Sequence, residues 1–344
     1  MIPVADSLSS PALIRARTCR LGACVARLAC VVMLGLSCVE SGFAIDYPAR
    51  TITLVVPFAA GGSLDTQARL IATGLGERLG KPVIVENRPG AGGSIGTGLV
   101  AHAPPDGYAL LMGALYLALE PALRSDLGYD PLRDFAPITL VAQSPLILVV
   151  PGSSPAWTVG EFLARSRRDS KALSFGSPGP GTAGHVLGEL FKARTRLDMV
   201  HVPYKGEIQA ITDTIGGRLS IMFVNTVAAI PQIRSGRLRA LGVTGARRLD
   251  VLADVPTLEE GGVPGLDLLF WSGVLAPIGT PADVIFRLHE EIVAVTRSAM
   301  FTGAMENLGA TVIVSTPREF GQRIRTDSDS MIRLAKETGL ELKQ

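Results

Sequence analysis

The stretch that decides the fold is Pro57-Phe58-Ala59-Ala60-Gly61-Gly62-Ser63-Leu64-Asp65, which follows the apolar run 51–56. An unbroken run of β-branched and aliphatic residues suits a strand covered on both faces, as in a parallel sheet. Pro57 and two glycines interrupt it. Apolar residues then recur at helical spacing over 63–79, with Ser63 in the N-cap position and Gly80 just past the end. A glycine turn that opens a helix presents unpaired N–H groups at the positive end of the helix dipole. Such a turn is an anion site that needs no arginine. A second turn, Phe175-Gly176-Ser177-Pro178-Gly179-Pro180-Gly181-Thr182, follows 172–174 and opens a helix over 182–193. Two such cradles are expected to grip one anionic ligand from two sides.

The alternation continues outward from both turns. Strands are predicted at 83–86, 109–112 and 146–150, with helices at 94–103 and 159–169. The second half runs strand 173–175, helix 182–193, strand 199–202, helix 207–215, strand 220–223, helix 227–235 and strand 238–244. An apolar run at 268–276 precedes helices at 282–298 and 317–339. This order implies an α/β protein with two mostly parallel sheets covered by helices. Ligands in such folds sit beyond the carboxyl ends of the strands, where both turns fall. The expected division is a lobe I of 45–149 plus 271–344 and a lobe II of 150–270, with the crossover strands as a hinge.

Residues 1–44 read as a secretory signal peptide. Arg15, Arg17, Arg20 and Arg27 supply a basic region, 28–36 an apolar one, and Ser41-Gly42-Phe43-Ala44 a cleavage site after Ala44. The four cysteines, Cys19, Cys24, Cys30 and Cys38, all lie in that leader, so the mature chain has no disulfide framework and no Cys site. Beyond Ala44 the chain carries 29 basic and 29 acidic residues. A balanced charge gives no field to attract nucleic acid or a membrane surface.

Enzyme motifs fare poorly. Gly179-Pro180-Gly181-Thr182-Ala183-Gly184 satisfies G-x-G-x-x-G in form. Pro180 disturbs the phosphate turn, however, and no acid stands ~20 residues on to meet a ribose. There is no P-loop and no G-x-S-x-G elbow, and His289-Glu290-Glu291 lacks the second His of a zinc motif. No cofactor or metal is expected. The remaining enzymatic alternative is an exported serine hydrolase pairing Ser177 or Ser174 with His185 or His201, which requires a buried acid behind the His.

Nine short motifs in order resemble the tripartite tricarboxylate transporter substrate-binding proteins, often called the Bug family. They begin with Tyr47-Pro48, the run into Phe58, Ala60-Gly61-Gly62 and Asp65. Then come Val85-Glu86-Asn87-Arg88-Pro89-Gly90-Ala91-Gly92-Gly93, Pro105-Asp106-Gly107-Tyr108 and Asp134-Phe135-Ala136-Pro137. His201-Val202-Pro203-Tyr204-Lys205-Gly206, the segment from Gly236 to Thr244, Asp254-Val255-Pro256-Thr257 and Pro277-Ile278-Gly279-Thr280-Pro281 complete the series. The resemblance implies a two-lobed periplasmic-binding-protein (Venus-flytrap) architecture and a monomeric receptor, not an enzyme. It implies a ligand that is a di- or tricarboxylate, an acidic amino acid or an aromatic acid, with membrane permease subunits or a sensor kinase as partner.

The site residues implied are Phe58, Ala60, Gly61, Gly62, Ser63 and Asp65 in the first loop and Ser177, Gly179, Gly181, Thr182 and His185 in the second. Pro178 and Pro180 depart from the family pattern, and each removes an N–H donor. Tyr204, Lys205 and Asn225 complete the set. Asp65 is read as a first-turn acid that complements the helix dipole, or as a residue that orients the first loop or meets a polar ligand group. Thr182 is read as an N-cap that also donates to the ligand. His185 is a hydrogen-bonded structural residue or a ligand contact. Lys205 is either the motif cation that reaches the anion or a solvated lysine. Asn225 stands where many relatives carry Asp, which favours a plain carboxylic acid over an amino acid.

Overall fold

A computed structural model of the chain describes residues 47–123, 127–168 and 172–338. The leader, its cleavage site and the four cysteines lie outside the described residues.

Strand β1 (Ile52–Val56) runs parallel to β2 (Val83–Asn87) on one side and β3 (Ala109–Ala114) on the other. Ile52, Leu54, Val55 and Val56 are buried, as an apolar run covered on both faces requires. In lobe II, β5 (Leu173–Ser177) lies parallel between β6 (Met199–Pro203) and β7 (Ile221–Asn225). Parallel pairing thus holds at the outer strands. The strands joining the lobes pair antiparallel: β9 (Leu269–Pro277) against β3, and β4 (Phe135–Pro151) against β9, β7 and β8 (Leu238–Val243). A two-residue strand β10 (Thr311–Val312) also pairs with β4.

β4 is the spine of the molecule. Over Phe135–Pro145 it pairs with β9, and from Leu146 to Pro151 it pairs with β7 and β8. The change of partner falls at Pro145, which has no N–H to give a ladder. Beside it, Thr244 Oγ1 accepts from Leu146 N (2.9 Å) and donates to Leu268 O (2.7 Å), tying the outgoing strand to the returning chain.

Ten helices cover the sheets: α1 (Ser63–Leu79), α2 (Ser94–Ala101), α3 (Tyr116–Leu123), α4 (Val159–Ser166), α5 (Ala183–Thr195), α6 (Glu207–Ile215), α7 (Thr226–Arg234), α8 (Ala282–Thr296), α9 (Ala299–Asn307) and α10 (Pro317–Thr338) among the described residues. None is long and apolar enough to cross a membrane. The lobe I core includes Ile71, Leu75, Phe301 and Trp271, whose ring meets Phe320 edge-on at 5.4 Å. The lobe II core includes Ile147, Val149, Met222, Val224 and Ile230. Burial of this kind contributes roughly 25 cal/mol per Å² of apolar surface, which fixes the helices on the sheets.

Candidate ligand-binding cleft

Helices α1, α5 and α7 begin at the carboxyl ends of β1, β5 and β7. The N-termini of all three open on one cleft. Of the residues expected in the site, Phe58, Gly62, Ser63, Asp65, Thr182 and Asn225 line it. Aromatic rings form much of the wall: Phe58, packed edge-on against Tyr116 at 5.5 Å, with Phe223 and Phe270. No lysine or arginine is among the lining residues. Positive potential in the cleft therefore comes from helix ends.

The first loop is braced by Asp65. Its carboxylate accepts from Gly61 N (2.9 Å), from Arg69 through two nitrogens (2.9 and 3.0 Å) and from Asn87 Nδ2 (2.9 Å). Burial pushes the Asp65 carboxyl up, but the bonds from Arg69, Gly61 and Asn87 outweigh it and hold it below the ordinary range. Gly61 takes φ +85°, a conformation that favours glycine. The helix cap is Gly62, in extended conformation, so Ser63 is the first helical residue and not the cap expected for it. Ala60 and Gly61 shape the turn without lining the cleft.

The second loop is also tied to itself. Gly179 N donates to Ser177 Oγ (3.1 Å), Gly181 N donates to His185 Nδ1 (3.2 Å), and Thr182 Oγ1 donates to Gly179 O (2.7 Å). Thr182 occupies the N-cap position, but its hydroxyl serves the loop and not the helix. Ser177 Oγ shares a 2.7 Å hydrogen bond with His201 Nε2, and the His201 ring stacks on His185 at 3.8 Å. Burial, His201 and Lys192 push His185 down to about 3, and burial with Lys192 pushes His201 down to about 4. Both imidazoles are neutral at pH 7. The Ser–His contact is real, yet Ser177 is fully buried and no carboxylate bonds either ring among the described residues. The pair braces the loop.

The amides expected to face a ligand at Gly61, Gly179 and Gly181 are therefore spent inside their loops. Among the described residues, the cleft-lining N–H groups without a protein acceptor include those of Gly62, Leu64 and Asp65 at the start of α1 and of Ala183 and Gly184 in α5. Helix geometry orphans these donors whatever the loop does.

Three expected residues point elsewhere. The Tyr204 hydroxyl donates to Asp213 (2.6 Å). Lys205 is exposed, and its carbonyl accepts from Ala59 N (3.2 Å) across the lobes. Asn225 lines the cleft but is occupied: its side chain caps α7 through Val227 N (3.0 Å) and donates to Ser144 Oγ (3.0 Å).

The residue that sequence reasoning missed is Glu207, first in α6. Its Oε2 accepts from Ser63 N of lobe I (2.9 Å), and its Oε1 accepts from Asn225 N of lobe II (3.3 Å). It is half-buried and lines the cleft, and desolvation raises its carboxyl above the ordinary range despite the bonds from Ser63 and Asn225. In sequence a Glu just after the glycine opening a helix looks like an ordinary first-turn acid. Nothing local shows that it reaches the other lobe.

The lobes meet through glycines. A Cβ on Gly92 would lie 2.0 Å from Pro180 O, and one on Gly206 would lie 2.9 Å from Ala59 Cβ. The Gly90–Gly93 turn and the proline-flanked second loop are thus the two lips where the lobes touch.

Two lobes around a hinge strand, with helix N-termini converging on the space between them, define a two-lobed solute-binding protein. The chain belongs to the tripartite tricarboxylate transporter family receptors, whose family profile matches residues 67–340. It is 35% identical over 299 residues to Protein BugT of Bordetella pertussis, covering 86% of this chain and 92% of that one. Among solved structures it resembles periplasmic binding protein BugD (34% identity, TM-score 0.83, 86% of this chain and 99% of that one). It also resembles an R. palustris protein solved with adipate (34%, TM-score 0.82, 86% and 99%). A third neighbour is MatC from Rhodopseudomonas palustris with bound malate (31%, TM-score 0.80, 84% and 99%). The family is one of receptors, not enzymes.

Proposed function

We propose that this chain is a periplasmic receptor, exported by its leader, that captures a small carboxylate between its lobes and hands it to a membrane transporter of the tripartite tricarboxylate type. The observation that carries the reading is the convergence of three helix N-termini on a cleft lined by no basic side chain. Such a cleft favours an anion through orphan amides and helix dipoles. Adipate and malate in two solved relatives fit that chemistry. An open receptor exposes the first turns of α1 and α5. Closure brings them onto one molecule and excludes water, which strengthens charge–dipole contacts.

The test is a thermal-shift screen of the purified protein with mono-, di- and tricarboxylates, amino acids and phosphate esters. A saturable rise in melting temperature with a carboxylate is expected, equivalent to about 2.7 kcal/mol at a hundredfold excess over Kd. NMR should show the compound unconsumed. No stabilisation by any carboxylate, or turnover of the compound, would sink the reading.

A further inference from the structure

Glu207 places a carboxylate of the protein where a receptor for dicarboxylates would hold one end of its ligand. It projects from lobe II, yet one oxygen takes the first amide of the lobe I helix α1 and the other takes Asn225 N. The polar capacity of lobe I toward an anion is thereby partly filled from within. On the lobe II side the first turn of α5 still offers the Ala183 and Gly184 amides. Between these ends the walls are Phe58, Leu64, Leu146, Phe223 and Phe270, with no basic side chain to balance a second ligand charge. Asp65, the other acid at the cleft, is neutralised by Arg69 and bears on the loop.

We propose that Glu207 is a specificity-determining residue that makes this receptor selective for carboxylic acids with one carboxylate and an apolar or aromatic body. The inference rests on the receptor reading above. The single carboxylate sits on the first turn of α5, and the body lies against the ring-lined wall. A second carboxylate on the free Leu64 amide of α1 would sit beside Glu207, and like charges in a desolvated cleft repel strongly. Discrimination then comes from a repulsive element built into the cleft.

Isothermal titration of the purified protein with benzoate, hexanoate, adipate, malate and aspartate tests this, in the wild type and in Glu207→Gln and Glu207→Ala. The wild type is expected to bind a monocarboxylate about tenfold or more tighter than any of the other three acids. Both variants are expected to gain about tenfold for adipate relative to the monocarboxylates. Glu207→Gln keeps the volume and an acceptor for Ser63 N, so it separates the charge from the fold. Tighter binding of adipate, malate or aspartate than of either monocarboxylate by the wild type would overturn the proposal. So would variants that keep the wild-type ratio. If neither wild type nor variants bind any acid while circular dichroism shows them folded, the receptor reading itself falls.

Discussion

Asp65 shows how a single carboxylate can set the shape of a loop. It fixes Gly61 in a left-handed turn, pairs Arg69, and through Asn87 reaches Phe58 O. Asp65→Asn removes the charge that satisfies Arg69 and an acceptor of the Gly61 amide. Urea denaturation at pH 7 should show a loss of roughly 1–3 kcal/mol, and unchanged stability would contradict the bracing role. Because the folded carboxyl titrates below its unfolded value, this contribution is present above the ordinary Asp range and disappears as pH falls through the folded value. The brace was only one of several readings open in the sequence, beside an acid that complements the helix dipole and a ligand contact. The cap was not legible, because Gly62 and Ser63 are both acceptable caps and only backbone angles separate them. Glu207 was illegible for a different reason: its partners lie 144 and 18 residues away.

At the scale of elements, β6 and α5 are joined by the stacked pair His201 and His185. Each imidazole titrates near 6.5 when unfolded but at about 4 and about 3 when folded. Unfolding therefore takes up protons below pH 6.5. The stability from the neutral pair is fully present above pH 6.5 and is lost as pH falls toward about 4 and then about 3. His201→Gln should flatten the fall in unfolding free energy between pH 6.5 and 4 in denaturant titrations. An identical slope in wild type and variant would refute this. Elements with a clear period, such as β1 and α1, stood out in the sequence. Helix α3 did not, because Tyr116-Leu117-Ala118-Leu119-Glu120 is buried all round and Pro121 breaks the pattern. The first half of β4 carries Pro137 and Pro145, residues that argue against a strand in any local reading. Pairing with β9 and β10 overrides them.

At the scale of the whole molecule, backbone meets backbone at the lips where the lobes touch. Gly92→Ala adds a methyl group within 2.0 Å of Pro180 O, a contact that lobe separation relieves more readily than loop movement. The left-handed φ of +70° also adds a strain of about 1 kcal/mol. The variant should stay folded by circular dichroism, lose about tenfold or more in affinity for the best-bound acid, and no longer contract on ligand addition in small-angle scattering. Wild-type affinity would show that the lips need not meet. The other end of the mechanism lies in β4, one strand that belongs to two sheets. Neither sheet can come apart without stripping the other of a shared strand, which is expected to couple their unfolding. A lesion in either core should therefore lower one common melting temperature, and two separate transitions in calorimetry would contradict this coupling through β4.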